Sequence, residues 1–328
     1  MNKIVYCDFD FLRDFSLSCP QHNEDPLGED PVQAWRTAYK FLYNSCFQLT
    51  GNIDMEAIKN NKLLFNLIKG HTVKFSNIND ILERNSERDG LFSLIFSMMS
   101  QKERQETAKA YGIFLLGKDD VLSLSSHFGG ELLNLTIDDK DKYHSWKDLL
   151  TPEALSVSNC MIIVDRYILK DTRKFDKNIF SLLEKILPKQ TKVNYHISIY
   201  TAIFGSERDM QLRYDKIHSE IKKMRPQLDF SFEIVDSGNS FHNRRLITNN
   251  AYISCDKGFD SLFPVNKDGA DIVFAFPFIV NHSFNKSFIS LLKDLLYFDK
   301  NKQRYGSHVW GKISNGNRLI SFYKNQMK

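Results

Sequence analysis

Residues 112–139 read GIFLLGKDDVLSLSSHFGGELLNLTIDD, and this stretch predicts a strand, a loop, a helix and a second strand in quick succession. Strands that alternate with helices are typical of α/β layer folds with a mostly parallel sheet. The alternation starts again at CMIIVDRYIL, residues 160–169, and continues to ADIVFAFPFIV, residues 270–280. The sequence therefore predicts two α/β domains, each with a mostly parallel or mixed central sheet flanked by helices.

The length of the chain also indicates two domains. Its 328 residues exceed the usual size of a single domain. Between the two runs of alternating elements lies DKDKYHSWKDLLTPEALSVSN, residues 139–159, which is polar and contains a proline. We therefore expect a first domain over residues 1–145 and a second over residues 155–328, the latter with a basic C-terminal tail.

Ahead of residue 112 the pattern is mostly helical. Apolar residues at helical spacing predict a helix over residues 32–49. The segment at residues 77–112 predicts two helices, and NKLLFNLIKG, residues 61–70, suits either a buried strand or a short helix. Residues 13–30 are rich in turn formers and predict a loop.

Composition excludes several classes of protein. The 44 Lys and Arg against 40 Asp and Glu give a net charge of +4, too small an excess to indicate a nucleic-acid binder on its own. The 5 cysteines are scattered without a C-x-x-C pair, which argues against a disulfide framework or a zinc site and favours reduced, mostly buried thiols. The first residues do not read as a signal peptide, and no apolar run is long enough to span a membrane. We expect a cytoplasmic protein without a membrane span.

Acidic residues follow two of the predicted strands. Asp8 and Asp10 come at the end of the first strand, and Asp119 and Asp120 follow the apolar run at residues 113–116. The carboxyl ends of parallel strands meet at one edge of a sheet, and carboxylate oxygens are the ligands that Mg²⁺ and Mn²⁺ prefer. The sequence predicts a metal site formed by these four acids, with Glu83 from the predicted helix NDILERN as a further candidate.

Two segments carry a resemblance to a known family. The opening strand IVYCDFDFL, residues 4–12, is similar to that of PIN-domain nucleases. The segment at residues 108–135 resembles the closing part of the same family, in which a strand leads to a metal-binding Asp and a short helix follows. The resemblance covers about residues 1–140.

The PIN resemblance implies a reaction and its residues. By position, Asp8 and Asp119 match the family's metal-binding acids, with Glu83 or Asp80 as the third. The implied activity is hydrolysis of a phosphodiester by metal-activated water, with Asp8, Asp119 and Glu83 as catalytic residues. The chain departs from the family in the long gap between Asp8 and the helical acids, and in Gly117, where the family usually has Thr or Ser.

A second family resembles the same opening strand. DFDFL, residues 8–12, looks like the aspartyl nucleophile motif of haloacid-dehalogenase phosphatases. That family has Thr or Val where this chain has Leu12, and its lysine-bearing strand cannot be found in this sequence. A phosphatase acting on a small substrate is therefore the second alternative to a nuclease.

The second predicted domain carries FHNRRLITNNAYISCDKGFD, residues 241–260. A His and an Arg two residues apart on a strand point to the same side, which suits a phosphate or a carboxylate, although a solvated strand edge has the same pattern. The segment resembles the His-x-Lys-x4-Asp signature of phospholipase D-like proteins, and more closely the degenerate versions in the lipid-binding domain that follows microtubule-interacting-and-transport modules. His242, Arg244 and Asn249 stand at the His, Lys and Asp positions.

The phospholipase D resemblance implies binding without hydrolysis. Active members use two such signatures, one His attacking phosphorus and the other protonating the leaving group, whereas this chain shows one clear copy. His196 lies within a predicted strand and lacks the following Lys, so it is predicted to be a core or edge residue. The resemblance implies an anion site at His242, Arg244 and Arg166.

Together the two resemblances imply a metal-dependent nuclease, or a nuclease-like component of a prokaryotic antiviral defence system. The second domain would bind phosphate or nucleic acid, RNA or DNA. The alternative is a catalytically inactive recognition or scaffold subunit that binds a protein partner in a larger defence complex. The tail at residues 301–324 mixes basic and aromatic residues, a pattern shared by platforms for single-stranded nucleic acid and by short closing hairpins.

Overall fold

The computed structural model describes most of the chain. The described residues are 4–19, 31–44, 47–69, 78–84, 93–123, 133–137, 144–150, 157–242, 244–259, 263, 270–275 and 282–326. The chain divides into two compact units. The first comprises Met1–Ala108, Ile113–Glu131 and Phe278–His282, and the second comprises Lys109–Gly112, Leu132–Pro277 and Ser283–Lys328. Both units contain strands and helices, which confirms the predicted α/β class.

The first unit is built on a parallel four-stranded sheet. Its strands are β1 (Ile4–Asp8), β2 (Phe47–Thr50), β3 (Ser93–Phe96) and β4 (Phe114–Leu116), in the order β2-β1-β3-β4. Because all neighbouring pairs are parallel, the carboxyl ends of the four strands lie at one edge.

The helices of the first unit follow the strands along the chain. They are α1 (Phe9–Leu17), α2 (Pro31–Asn44), α3 (Met55–Asn60), α4 (Lys62–Ile68), α5 (Ile78–Arg84), α6 (Gln101–Tyr111) and α7 (Lys118–Ser123), and the last turn of α6 belongs to the second unit. Helix α1 begins directly after β1, where the sequence predicted a loop from residue 13, because Asp8 caps it and its apolar residues bury one face. The segment at residues 61–70 proves to be a helix. The predicted helix pair at residues 77–112 is wrong in its middle, where the buried run at 94–96 belongs to β3.

The second unit is built on a mixed eight-stranded sheet. Its strands are β5 (Leu133–Ile137), β6 (Cys160–Val164), β7 (Tyr195–Thr201), β8 (Phe230–Asp236), β9 (Arg245–Thr248), β10 (Tyr252–Cys255), β11 (Ala270–Ala275) and β12 (Val309–Gly311). Their order is β12-β8-β7-β6-β9-β10-β11-β5. Strands β6, β7 and β8 run parallel, and the remaining pairs are antiparallel.

Helices of the second unit pack beside this sheet. They are α8 (Trp146–Leu149), α9 (Ser181–Ile186), α10 (Glu207–Met224), α11 (His282–Asn301) and α12 (Arg318–Gln326). Helix α10 begins at a capping box in which Ser206 and Asp209 bond each other's backbone N–H groups. Every residue of β6 is buried, as expected for a central strand. No helix among the described residues is long and apolar enough to cross a membrane.

The division between the two units falls before β5. The sequence placed the boundary between residues 145 and 155, but β5 pairs with β11, with Leu135 opposite Ile272. The polar stretch at residues 139–159 also contributes to the core of the second unit, because Trp146 and Leu150 are fully buried. Pairing between strands more than 130 residues apart leaves no mark on local composition.

Three of the cysteines lie in strands and are buried, free thiols, as the sequence predicted. Cys7, Cys160 and Cys255 are buried and free, and burial raises the pKa of each thiol. A thiol with a raised pKa is mostly protonated at neutral pH and is a poor nucleophile. These cysteines therefore act as small apolar core residues.

Candidate functional site

Asp8 lies at the edge of the first sheet where the strand ends converge. In the strand order, β2 lies on one side of β1, and β3 and β4 lie on the other side. The chain therefore changes direction across the sheet at β1, and the crevice typical of α/β ligand sites falls between β1 and β3. The backbone N–H groups of Asp10 and Met98 donate to the Asp8 carboxylate, the former at 3.2 Å. Burial is the largest influence on this carboxyl group and raises its pKa, against the opposing effect of these hydrogen bonds.

The space around Asp8 is kept open by a glycine. Gly51 follows β2 with a φ of +87°, and a Cβ atom there would lie 3.3 Å from Asp8 Oδ1. A side chain at this position would therefore cover the carboxylate. Asp8 is half-buried.

Asp120 is held by a buried arginine. Its Oδ2 atom accepts hydrogen bonds from Arg104 Nε at 2.9 Å and from the Gly117 N–H at 2.8 Å. Arg104 is buried, and its Nη2 lies 2.7 Å from the same oxygen. A Cβ atom on Gly117 would lie 2.2 Å from the guanidinium group. Gly117, where PIN nucleases usually have Thr or Ser, therefore makes room for this ion pair, and Asp120 has a structural role.

The other acids predicted for the metal site differ in exposure and in their partners, and the charge of Asp10 helps to raise the pKa of Asp8. Asp10 is exposed and pairs with Arg13 at 2.9 Å, one turn further along α1. Asp119 is exposed in the first turn of α7. Asp80 is exposed in the first turn of α5, and the side chain of Glu83 in the same helix lies outside the described residues.

The described carboxylates do not fit a resident Mg²⁺ or Mn²⁺ ion. In the part of the chain that the structure describes, no three His, Cys, Asp or Glu side chains form a group that could hold a metal ion. Of the four acids predicted as ligands, Asp120 and Asp10 have guanidinium partners. Metal dependence therefore stays a prediction of the PIN resemblance.

In the second unit, β6 and β9 bring two of the predicted anion-binding residues together. The strands are antiparallel, with Arg245 opposite Val164, so Arg244 lies beside the carboxyl end of β6. Asp165 and Arg166 directly follow that end. Asp165 is fully buried; its oxygens accept the N–H groups of Tyr167 at 2.9 Å and Phe259 at 2.7 Å. Burial raises the pKa of Asp165, and these bonds and the nearby Arg244 oppose that effect.

Three cations converge on one aromatic ring at this edge. The guanidinium carbons of Arg166 and Arg244 lie 5.2 Å and 5.9 Å from the centroid of the Tyr167 ring, and Lys170 Nζ lies 5.6 Å from it. We call Arg166, Lys170 and Arg244 the cation cluster. Arg244 also donates to the backbone oxygen of Asp256. Sequence reasoning missed Lys170 and Tyr167, although both follow the strand that ends in Asp165.

His242 is exposed and precedes Arg244 by two residues, while Asn243 lies outside the described residues. Asn249, which stands at the acid position of the phospholipase D-like signature, is at the other end of β9. It is fully buried: its Oδ1 accepts the Asn159 N–H at 3.0 Å and its Nδ2 donates to the Gly112 carbonyl at 2.7 Å. Five residues of extended chain separate Arg244 from Asn249 by roughly 16 Å, so they do not share one site. Asn249 is structural.

His196 lies at the same far end of the sheet. It pairs with Cys160, the first residue of β6, whereas the cation cluster follows the last. Burial, and to a smaller degree the charge of Arg318, lower the pKa of His196 to about 4. His196 is therefore an uncharged structural residue and not a catalytic partner for His242.

The shifted pKa of His196 predicts a loss of stability in acid. The unfolded chain takes up a proton near pH 6.5 and the folded chain only near pH 4, so the free energy of unfolding falls as the pH falls through this window. After allowance for partial exposure we expect a loss of about 2 kcal/mol. Urea unfolding from pH 7 to pH 4 should show a shallower decline for His196→Gln than for wild type. His242→Gln is the control, and parallel curves for wild type and His196→Gln would contradict the prediction.

Fold and sites together define an α/β protein of two units, with a half-buried carboxylate at the sheet edge of the first and a cation cluster at the sheet edge of the second. No model of a known protein family matches the chain, and no curated protein matches it in sequence. The resemblances to nucleases, phosphatases and phospholipase D-like domains therefore rest on the residues that carry them.

Proposed function

We propose that the second unit binds a phosphate group at the cation cluster and does not hydrolyse it. The observation that carries the proposal is the convergence of Arg166, Lys170 and Arg244 on the ring of Tyr167. Three like charges around one ring repel one another, and the cation–π contacts offset only part of that repulsion. A bound anion removes it.

The hydrogen bonds of Asp165 support an external anion as the partner of the cation cluster. Asp165 is close enough to Arg244 to feel its charge, but both of its oxygens accept backbone N–H groups. Arg166 Nε is buried and has no hydrogen-bond acceptor among the described residues. A buried donor without an acceptor costs about 1 to 3 kcal/mol, and a ligand oxygen would recover it. Guanidinium groups bind phosphate oxygens in pairs, which favours phosphate over a monodentate anion.

The acid–base groups among the described residues support binding without hydrolysis. Phosphoryl transfer to His242 would need a second group to protonate the leaving oxygen. His196 and Asn249 lie at the opposite end of β6 and β9 and are both structural. We therefore assign binding, and not turnover, to this unit.

Substitution of the two arginines tests the proposal. Arg166→Ala and Arg244→Ala should each weaken the binding of inorganic pyrophosphate about tenfold or more, because each removes a charge-assisted contact. Isothermal titration calorimetry at low salt measures the affinity, with Arg208→Ala, an exposed arginine on α10, as the matched control. Unchanged affinity in both cluster variants, or an equal loss in Arg208→Ala, would rule out the cation cluster as the site.

A second candidate function belongs to the first unit. We propose phosphodiester hydrolysis at Asp8, supported by its raised pKa and its position between β1 and β3. Asp8 would contact the scissile phosphate or the attacking water. The assay is hydrolysis of single-stranded RNA and DNA with Mg²⁺ or Mn²⁺, comparing wild type with Asp8→Asn. A role in antiviral defence rests on the resemblances alone; a recognition or scaffold subunit is the outcome if wild type shows no turnover.

A further inference from the structure

A column of aromatic rings runs from the core of the second unit to its surface. Phe298 contacts Tyr200 and Phe241, with ring centroids 6.0 Å and 5.5 Å apart, and Tyr305 stacks on Phe298 at 5.7 Å with an interplanar angle of 16°. Tyr200 and Phe298 are buried, whereas Tyr305 is 52% exposed. We call these four residues the aromatic column.

The exposed end of the column is held in a fixed orientation. One face of Tyr305 rests on Phe298, and its hydroxyl group is hydrogen-bonded to that of Tyr297, which is 62% exposed. The Tyr305 N–H donates to the Asn301 carbonyl at 3.1 Å, which fixes the backbone after α11. A ring that is already ordered loses little conformational entropy when a planar group stacks on it.

Positive charge flanks both ends of the aromatic column. Arg304 is exposed and precedes Tyr305 in the chain, and Lys300 is exposed in the last turn of α11. At the other end, Phe241 precedes Arg244 of the cation cluster by three residues. The Asp165 N–H, directly before Arg166, donates to the Tyr200 carbonyl at 3.1 Å, so the buried end of the aromatic column lies next to the strand end that carries the cation cluster.

We infer that the ligand of the second unit is single-stranded nucleic acid, with a phosphate at the cation cluster and a base stacked on Tyr305. The inference rests on the proposed phosphate site and names its ligand. A single strand offers a flat π-face for every phosphate, whereas the bases of a duplex are stacked on one another. A phosphopeptide or a lipid headgroup supplies the phosphate without that regular π-face.

Fluorescence anisotropy with a labelled deoxythymidine oligonucleotide of about 15 nucleotides tests the inference. Tyr305→Ala should weaken binding about tenfold, while Tyr305→Phe, which keeps the ring and its stacking on Phe298 but loses the hydrogen bond to Tyr297, should weaken it much less. Tyr43→Ala is the matched control, because Tyr43 is 54% exposed on α2 of the first unit. Arg244→Ala should weaken binding and reduce the slope of log affinity against log salt by about 1.

The same measurements separate failure of this inference from failure of the phosphate site. If Arg244→Ala weakens oligonucleotide and pyrophosphate binding but Tyr305→Ala changes neither, the stacking inference falls and the phosphate site stands. Binding of a duplex of the same length as tightly as the single strand also overturns the inference. If neither Arg166→Ala nor Arg244→Ala weakens the binding of the oligonucleotide or of pyrophosphate, the phosphate site itself is excluded. Matching urea midpoints for wild type and Tyr305→Ala establish that both are folded.

Discussion

Replacement of Asn249 with aspartate is expected to lower the free energy of unfolding by about 3 kcal/mol or more and to create no hydrolase activity. The change restores the acid of the phospholipase D-like signature at that position. In the folded chain, however, Asn249 Nδ2 donates to the Gly112 carbonyl at 2.7 Å. A carboxylate would place an oxygen in the position of this donor, and the two oxygens would repel each other. It would also introduce a charge at a fully buried position.

Urea unfolding at pH 7 measures this effect, and its pH dependence identifies the cause. The new carboxyl group would have a raised pKa in the folded state, so the penalty should shrink as the pH falls towards the unfolded value near 4. Asn239→Asp is the control at an exposed position of the same unit, with an expected change within about 0.5 kcal/mol. A variant as stable as wild type that hydrolyses bis(p-nitrophenyl) phosphate would show that Asn249 belongs to a catalytic site.

Substitution of Asp8 with asparagine is expected to reduce any phosphodiesterase activity of the protein by about a thousandfold, because the substitution removes the reactive carboxylate and keeps its shape. Stability should change little. Asn caps a helix as well as Asp does, and the raised pKa of Asp8 indicates that burial already disfavours its charge. The measurement is cleavage of labelled single-stranded RNA and DNA under multiple-turnover conditions.

The matched control for Asp8→Asn is Asp54→Asn. Asp54 caps α3 by accepting the N–H groups of Glu56 and Ala57 at 2.8 Å and 3.1 Å, so the same chemical change is made at an exposed helix cap, whereas Asp8 is half-buried. If Asp8→Asn still cleaves nucleic acid and His242→Ala does not, the second unit is the enzyme and the first is not. Hydrolysis of p-nitrophenyl phosphate but not of nucleic acid would favour the phosphatase alternative.

The α/β class and part of each site could be predicted from local sequence. Alternating strands and helices have distinct apolar periods, so β1, β4, β6 and β7 were visible, and each strand end could be read as a position at a sheet edge. This is why Asp8 was found at the edge of the first sheet, and why Arg166 and Arg244 were expected near one another. The predicted helix pair at residues 77–112 was wrong at β3 because three consecutive apolar residues, 94–96, cannot distinguish a strand from a helical turn.

Tertiary structure alone decided which neighbours each predicted residue has. The sequence determined that Asp120 follows a strand, but the approach of Arg104 over Gly117 makes that acid a structural ion pair. The sequence likewise determined that Asn249 follows Arg244 at the spacing of the phospholipase D-like signature. In the structure, the extended chain of β9 separates the two residues by roughly 16 Å. Local periodicity reports which face of an element a residue occupies. What that face meets depends on strand pairing and packing between residues far apart in the chain, and these contacts fix burial, charge and chemistry.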